Sequence, residues 1–336
     1  MQANLIGIDL AKNVFQVCAV DHNGNELWSK RLTRQRLSGF IAEQKNCVIA
    51  MEACGGAHHW GREAGLKGIE VRLIPPQFVK PYVKSQKNDY HDAQAICEAA
   101  TRPHMRFAAL KTLEEQDIQS LHRYRDLLVS NRTMVINHAR GVLLEYGVAI
   151  PKGAAGFGKK LLAVLEQNES NLTISIKRQI GLLREQLVEL EEKIRQCEND
   201  LEVLAKQNPV YSQLLKLPGV GKLTASALLS MTSQAGKLKN GRQFSAFLGL
   251  VPRQNSSGGK TKLLGITKRG DVHLRNLLIH GGRAVVRHID NKTDETSLWL
   301  KSLIERRGKN KAVVAMANKN ARLIWAIMKK NETFIW

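Results

Sequence analysis

Cysteine pairs and long apolar runs are missing from this sequence, and each absence excludes a class of protein. The five cysteines are an odd number and no two have the CxxC spacing, so we expect neither a disulfide framework nor a cysteine-based zinc site. No signal peptide is recognisable, and a reducing cytoplasm is therefore the expected compartment. No apolar run reaches the roughly 18 residues that a helix needs to cross a bilayer, so we expect no membrane partner.

Acidic residues are scarce as well. The 336 residues include 30 Asp and Glu against 51 Lys and Arg, which gives a formal net charge of +21. This excess is larger than solubility needs and indicates a polyanionic partner, DNA or RNA. A generically basic surface, as in ribosome-bound or membrane-surface proteins, is the alternative. Because 43% of the residues are hydrophobic, the chain can form two or three globular domains.

Short apolar runs predict a mixed α/β domain at the beginning of the chain. Candidate strands cover residues 4–10, 14–20, 26–32, 47–51 and 69–74, and helix-compatible stretches cover residues 36–44 and 58–65. The turn at residues 21–25 joins the second and third strands into a plausible hairpin. Three strands in a meander, followed by helix, strand, helix and strand, is an α/β order.

From about Asp89 onward the sequence is nearly all helical, and one stretch is rich in cations. Apolar residues recur at helical spacing from Ile118 to Ala139. Such a helix can lie along a nucleic-acid backbone, and a solvated basic face is the alternative. The candidate phosphate contacts of this stretch are Arg123, Arg125, Arg132 and Arg140.

A second apolar stripe, between Ile176 and Leu204, alternates steps of four and three residues. This is the a/d pattern of a coiled coil over about four heptads. The stripe can fold back within the chain or pair with another copy. We favour self-association, because a long lone helix leaves such a stripe exposed to water.

A glycine-rich turn at residues 217–225 lies between two helical stretches. In a helix-hairpin-helix, such a turn points backbone N–H groups at a DNA phosphate, and a plain corner between two helices is the alternative. Further cations follow it, and we interpret them as phosphate contacts, with an ordinary surface as the alternative. The candidates of the last part of the chain are Gly219, Gly221, Lys222, Arg253, Lys260, Lys268, Arg269 and Arg275.

Four acidic residues occur where secondary-structure elements begin or end. Asp9 lies at the end of the first strand, Glu52 lies just past the fourth, and Asp89 and Asp92 share one face at the start of a helix. Such hard oxygen ligands suit Mg²⁺, and also Mn²⁺. Two such ions about 4 Å apart can activate a nucleophile and stabilise a leaving oxygen at a phosphodiester. Taken singly, each residue is better explained as a solvated turn or a helix N-terminal device.

The segments 7–9, 51–53 and 88–93 together resemble the DEDD signature of a class of insertion-sequence transposases. The resemblance covers essentially the whole chain. It implies a ribonuclease H-like, RuvC-like catalytic domain at residues 1–150, a coiled coil at 165–206, and a mostly helical transposase domain at 207–336 with the helix-hairpin-helix. Many relatives carry Thr where Cys54 stands, which suggests a different subgroup.

The segment 247–260 resembles the C-terminal signature of that family, in which a serine before a glycine takes the DNA strand covalently. By position this serine matches Ser257. Ser256 adjoins it and is not excluded by the register, and Tyr90 is a further candidate that we rank below serine. By composition alone, the segment is a polar Ser-Gly loop.

The resemblance also implies partners. A structured guide (bridge) RNA from the element pairs with donor and target DNA, and a homodimer assembles into a tetramer in which the acidic site of one copy completes the serine site of another. The alternatives are a RuvC-like junction resolvase or nuclease that uses water and no serine, and a non-catalytic nucleic-acid-binding scaffold. An actin-like kinase, which residues 7–11 also suggest, needs a second phosphate loop that we do not find.

Overall fold

The chain forms two compact units, residues Met1–Leu113 and Glu114–Trp336. The computed structural model describes residues 3–84, 88–154, 156–167 and 171–330. Residues 168–170 of the expected coiled coil and 331–336 of the expected C-terminal domain lie outside the described residues, as do 85–87 and 155. The three domain ranges expected from the sequence therefore stay predictions.

The first unit is built on a five-stranded sheet. Its strands are β1 (Leu5–Asp9), β2 (Val14–Val20), β3 (Glu26–Thr33), β4 (Val48–Glu52) and β5 (Glu70–Ile74). Their order in the sheet is β3-β2-β1-β4-β5. The β1–β2 and β2–β3 pairs are antiparallel, whereas β1–β4 and β4–β5 are parallel. The predicted mixed α/β architecture is confirmed.

Helices cover both faces of this sheet. On one face, α1 (Arg34–Glu43) and α2 (Ala57–Leu66) pack on Ile6, Ile8 and Met51. After the short α3 (Pro76–Val79) and a single 3₁₀ turn (Lys80–Tyr82), α4 (Asp89–Thr101) covers the other face. Since successive residues of a strand point to opposite faces, each central strand contributes to both cores.

Two long helices begin the second unit. Helix α5 (Leu113–Glu145) and α7 (Ile174–Lys206) are antiparallel neighbours, and the shorter α6 (Phe157–Gln167) packs against them. Arg125 pairs with Glu198 near one end of the two long helices, and Gln179 contacts His138 near the other.

The heptad stripe of α7 is buried inside the chain. Ile180, Leu187, Leu190 and Ile194 pack with residues of α5 and α6, and Leu201 packs in the core of the remaining helices. We preferred self-association because a lone helix would leave this stripe exposed to water. That reason was wrong, because these apolar side chains are already covered within one chain. A dimer needs a different physical argument.

Shorter elements complete the second unit. They are α8 (Pro209–Leu214), α9 (Lys222–Leu229), α10 (Thr232–Lys237), α11 (Gly241–Phe247), β6 (Pro252–Gln254), β7 (Leu263–Ile266), α12 (Val272–Arg287), α13 (Glu295–Arg307) and α14 (Lys309–Lys330). Helix α14 packs on α8 and on α10 to α13 and forms the centre of this part of the core. The β6–β7 hairpin interrupts a region that the sequence predicted to be nearly all helical. Among the described residues, no helix combines the length and hydropathy needed to cross a bilayer.

Candidate active site

Two carboxylates lie side by side where parallel strands end. Strands β1 and β4 pair in register up to Ile8 and Met51, and Asp9 and Glu52 follow as the last residue of each strand. Because Ile8 and Met51 belong to the core beneath α1 and α2, alternation along the strands directs Asp9 and Glu52 toward the face that α4 covers.

Helix α4 brings the other two carboxylates to the same edge. Its N-cap is Asn88, whose side chain accepts a hydrogen bond from the N–H of Tyr90, and Asp89 and Asp92 lie in its first turn. The helix approaches β1 closely at Gly7. A Cβ at Gly7 would lie 2.5 Å from Cys97 Sγ and 2.8 Å from Ala93 O, so only glycine permits this packing.

Asp9, Asp89 and Asp92 form a tight acidic cluster. One carboxylate oxygen of each lies within 4.8 Å of the others. Asp89 is exposed, whereas Asp9 and Asp92 are half-buried on an apolar scaffold. The sequence singled out four carboxylates, and the structure brings these three together.

Glu52 lies near the acidic cluster without belonging to it. Burial raises the pKa of the Glu52 carboxyl above its usual value, and the negative charge of Asp92 raises it further. The pKa of the neighbouring Cys54 thiol is raised as well, by burial and then by the charges of Glu52 and Asp9. The edge is thus strongly negative, which favours the arrival of a cation.

The Tyr90 hydroxyl is engaged in hydrogen bonds with neighbouring side chains. Its hydroxyl donates to Glu26 Oε2 at 2.7 Å, and Gln94 Nε2 donates to the same oxygen at 2.6 Å. The hydrogen bond to Glu26 raises the pKa of the Tyr90 phenol. In this conformation Glu26 engages the Tyr90 hydroxyl, and the ranking of Tyr90 below serine stays a prediction.

The candidate serines lie on the serine hairpin, which we define as residues 252–266. Gly258 and Gly259 have φ values of 53° and 76° and form its tip, and the N–H of Lys260 donates to Ser257 O at 3.0 Å. Positive φ at two successive residues is typical of the tight turn that suits a β-hairpin. The sequence missed this hairpin, although its two adjacent glycines were the available signal.

Ser256 and Ser257 differ in their hydrogen bonds. Ser256 Oγ accepts from Gln254 Nε2 at 2.9 Å and from the N–H of Lys262 at 3.2 Å, which ties the two sides of the hairpin together. Ser257 is exposed, and within the described residues no hydrogen bond of its hydroxyl is found. Both serines are exposed, but the Ser256 hydroxyl is engaged in holding the loop, whereas no such contact occupies the Ser257 hydroxyl among the described residues.

Comparisons with known proteins show which family the chain resembles. Residues 6–148 match the model of a DEDD transposase domain of IS110 elements, and residues 211–297 match the Transposase IS116/IS110/IS902 family. The chain is 49% identical to the transposase for insertion sequence element IS1111A of Coxiella burnetii, over 98% of this chain and 91% of the relative. It is 44% identical to a probable family 20 transposase of Pseudomonas aeruginosa, over 99% of both chains. It is also 39% identical to the transposase for insertion sequence element IS1328 of Yersinia enterocolitica, over 98% of both chains.

The chain belongs to the IS110 family of insertion-sequence transposases. Its relatives and its DEDD domain make it a DNA recombination enzyme, so the non-catalytic scaffold is rejected. A DEDD domain also indicates the use of a divalent metal, in agreement with the acidic cluster.

The transposase uses a buried arginine to hold the serine hairpin in place. Arg275 is 6% exposed, and its guanidinium donates to Leu248 O at 3.2 Å and to Arg269 O at 2.8 Å. These carbonyls belong to two segments that cross closely at Gly249, where a Cβ would lie 2.3 Å from Arg269 O. The prediction that Arg275 contacts a phosphate was wrong, because its charge is used inside the protein.

Two more predicted phosphate contacts have roles within the transposase. Arg125 forms an ion pair with Glu198 at 2.7 Å that links α5 to α7. Arg140 donates to Pro151 O at 2.9 Å and to Gly153 O at 2.6 Å, and so fastens the loop after α5. Both guanidinium groups are half-buried and have structural roles, and their contact with nucleic acid stays a prediction.

The other predicted contacts remain on the surface or near it. Lys222 is exposed although it pairs with Glu202 at 2.8 Å, and Arg132 is half-buried. Exposed side chains are those of Arg123, Arg253, Lys260, Lys268 and Arg269.

The glycine turn between α8 and α9 has two functions in the transposase. Gly219, with φ of 80°, lies against α12, where a Cβ would be 2.6 Å from Gly281 O. Gly221 is exposed and forms the N-cap of α9. Gly219 thus serves packing, whereas Gly221 and Lys222 are exposed to a ligand.

Proposed function

We propose that this transposase cuts and rejoins DNA through a phosphoserine intermediate formed by Ser257, with divalent cations held at the acidic cluster. The observation that carries the proposal is the convergence of Asp9, Asp89 and Asp92 within 4.8 Å at the edge of a buried sheet. Three carboxylates so close together repel one another, and a cation relieves that repulsion. The junction resolvase alternative shares this edge but has no use for an exposed serine.

The donor set fits Mg²⁺ or Mn²⁺. All of the side chains concerned offer hard carboxylate oxygens, and the described cluster contains no cysteine or histidine that would select a softer metal. Glu52, whose pKa is raised beside Asp92, supplies a further carboxylate at the same edge. Bound cations would supply charge stabilisation to a phosphodiester in which one oxygen attacks and another leaves.

The strand order supports the finer assignment of the fold. An antiparallel β3-β2-β1 meander extended by parallel β4 and β5 is the arrangement that we infer to be ribonuclease H-like and RuvC-like. We also interpret the α8–turn–α9 segment as a helix-hairpin-helix in which the exposed N-terminus of α9 faces a phosphate, and the α5–α7 pair as a coiled coil within one chain.

The covalent step balances without water or an energy-rich cofactor. Ser257 Oγ attacks phosphorus, the Oγ–P bond forms, and the bond from phosphorus to one sugar oxygen breaks. That sugar oxygen leaves as a hydroxyl by taking up one proton, and Ser257 Oγ gives up one proton, so the protons balance. In the reverse step a hydroxyl of another strand attacks the phosphoserine and releases Ser257, so the number of phosphodiester bonds is conserved.

A matched pair of serine variants tests this proposal. We expect Ser257→Ala to abolish both recombination and the covalent protein–DNA adduct seen on a denaturing gel. Ser256→Ala should keep the adduct, because the hydrogen bond from the N–H of Asn255 to Lys262 O still joins the two sides of the hairpin. An adduct that persists in Ser257→Ala and vanishes in Ser256→Ala would assign the nucleophile to Ser256, and recombination without any adduct would favour hydrolysis.

RNA guidance and assembly are separate parts of the proposal. A guide RNA that pairs with donor and target DNA leaves the protein to bind backbone and shape, which suits a net charge of +21. Sequencing the RNA that co-purifies with the protein tests this, and the absence of a specific transcript would contradict it. The expected site of action is the bacterial nucleoid.

We propose a dimer that assembles into a tetramer in which different copies supply the acidic and serine centres. Mixing inactive Asp9→Asn chains with inactive Ser257→Ala chains should then restore part of the recombination. Inactivity of the mixture, with both proteins folded, would contradict shared sites.

A further inference from the structure

A large open groove lies in the second unit. It encloses about 1010 Å³ between the start of α11, the base of the serine hairpin, α13 and α14. Nothing in the proposed chemistry uses it. Its lining is mainly apolar, and a tryptophan from α13, Trp299, forms part of its wall.

The charged side chains that line this groove all carry the same sign. They are Arg242, Lys311, Lys319 and Arg322, and no acidic residue is among the described residues of the lining. Arg242, Lys311 and Arg322 are exposed, and the part of the chain that the structure describes offers them no ion pair. Lysine and arginine without counter-charges on a concave surface attract an anion.

Three of the four cations, Lys311, Lys319 and Arg322, lie on α14. Lys311 and Arg322 are eleven residues apart, which corresponds to a rise of about 16 Å along a helix. That length spans several nucleotides, because phosphates of one strand are about 3.4 Å apart along a duplex and further apart when the strand is extended. The groove thus matches a chain of phosphates better than a single small anion.

Trp299 adds a surface for a flat, uncharged group. It is 36% exposed in an otherwise apolar wall, and Lys319 Nζ lies 5.3 Å from its ring centroid while donating to Thr296 Oγ1 at 2.9 Å. An exposed indole beside cations is typical of sites where nucleic-acid bases stack. Stacking requires a free base face, which an unpaired strand offers and the interior of a duplex does not.

The base of the serine hairpin forms part of the wall of the groove. Pro252 and Ile266 both line it, and they face each other across the β6–β7 pair. The hairpin that carries Ser257 therefore starts from the wall of the groove. A strand lying along α14 would reach the hairpin without leaving the surface of this unit.

We propose that this groove binds the unpaired DNA strand next to the phosphodiester that Ser257 attacks. Bases of that strand stack on Trp299, and its phosphates contact Lys311 and Arg322. The proposal rests on the proposed function for the identity of the strand. Two features of the groove support the rest of the proposal: Trp299 favours an unpaired base, and the cations of α14 favour a run of phosphates.

The test uses the full chain and measures the affinity for a short unpaired oligodeoxynucleotide by fluorescence anisotropy. The duplex and the RNA of the same sequence are measured in parallel. Because the chain is basic elsewhere, differences between variants carry the result. We expect Trp299→Leu to weaken binding roughly ten-fold, and Trp299→Phe to restore most of it, since phenylalanine keeps a ring for stacking.

Charge variants complete the test. Arg322→Gln should lower the slope of log affinity against log salt by about 1, whereas Arg307→Gln, on the exposed end of α13 outside the groove, should leave affinity for the unpaired strand nearly unchanged. Equal losses in Arg307→Gln and Arg322→Gln would overturn the proposal. So would tighter binding of the duplex or of the RNA with the same dependence on Trp299.

Two variants distinguish an error in the groove assignment from an error in the proposed function. Ser257→Ala should bind the unpaired strand as the parent protein does while forming no covalent adduct. If recombination persists in Ser257→Ala, the proposed chemistry fails and the groove measurement still stands. If Trp299→Leu binds the unpaired strand normally, only the groove assignment fails.

Discussion

The acidic cluster and the serine hairpin place reactive groups in opposite ways. Asp9 extends from a strand that is buried on both faces, and Asp89 and Asp92 stand on a helix packed so closely that Gly7 admits no side chain. Ser257 lies on an exposed loop whose tip is two glycines. A set of like charges must be held together against repulsion, whereas a nucleophile that bonds to a DNA strand and later releases it needs access.

The comparison predicts that the cluster is sensitive to single ligands. Asp9→Asn should lower recombination by at least about 100-fold, since it removes one of three converging carboxylates and the charge that attracts the cation. Glu52→Gln should have a smaller effect, because Glu52 lies outside the 4.8 Å cluster. Recombination rates and Mn²⁺ binding by calorimetry measure both.

Equal losses in Asp9→Asn and Glu52→Gln would show instead that Glu52 is a full ligand of the ion. Unchanged Mn²⁺ binding in Asp9→Asn would contradict the role of the cluster as a metal site. In either case, the thermal melting of the variants shows whether the sheet edge is still folded.

The second prediction concerns the scaffold beneath the cluster. Gly7→Ala should destabilise the protein by about 1–3 kcal/mol, because the new methyl group meets Cys97 Sγ and Ala93 O and forces α4 away from β1. That shift moves Asp89 and Asp92, so metal affinity should fall together with stability. Gly39→Ala is the matched control, since its Cβ meets nothing within 4 Å.

A Gly7→Ala protein with parental melting temperature and Mn²⁺ affinity would show that α4 adjusts without cost. The acidic cluster would then not be held more rigidly than the serine hairpin. Loss of stability in Gly39→Ala to the same extent would indicate that the first unit tolerates no added methyl group, whatever its position.

Local patterns were sufficient to predict the first unit. The five strands begin and end within one residue of their predicted bounds, because each apolar run is short and is stopped by a turn or by Pro75 and Pro76. The acidic positions followed from strand ends and one helix start. The distances between the four carboxylates could not be predicted. Whether Glu52 joins the cluster depends on the directions of the side chains, which the spacing of residues in the sequence does not encode.

The second unit was harder to predict for physical reasons. The heptad stripe of α7 specifies that a face is buried but not what buries it, and here α5 and α6 do so. Arg275 was interpreted as a phosphate contact like the other cations of this region, and one of its two carbonyl partners, Leu248 O, lies 27 residues away in sequence. Strands of three and four residues in the serine hairpin are too short for a period to emerge.

The smallest expected effect tests the accessible side of the comparison. Gly259→Ala should slow recombination modestly and lower the melting temperature less than Gly7→Ala does, because a loop that carries no core can relax part of the roughly 1–2 kcal/mol that a side chain costs at φ of 76°. Gly265→Ala is the control within the same hairpin, as its φ is not positive and its Cβ meets nothing within 4 Å. If Gly259→Ala lowers the melting temperature as much as Gly7→Ala does, the hairpin is part of the folded scaffold, and its exposure cannot be explained by the need to release a strand. If it alters only the rate of adduct formation, the shape of the turn matters for presenting Ser257 and for nothing else.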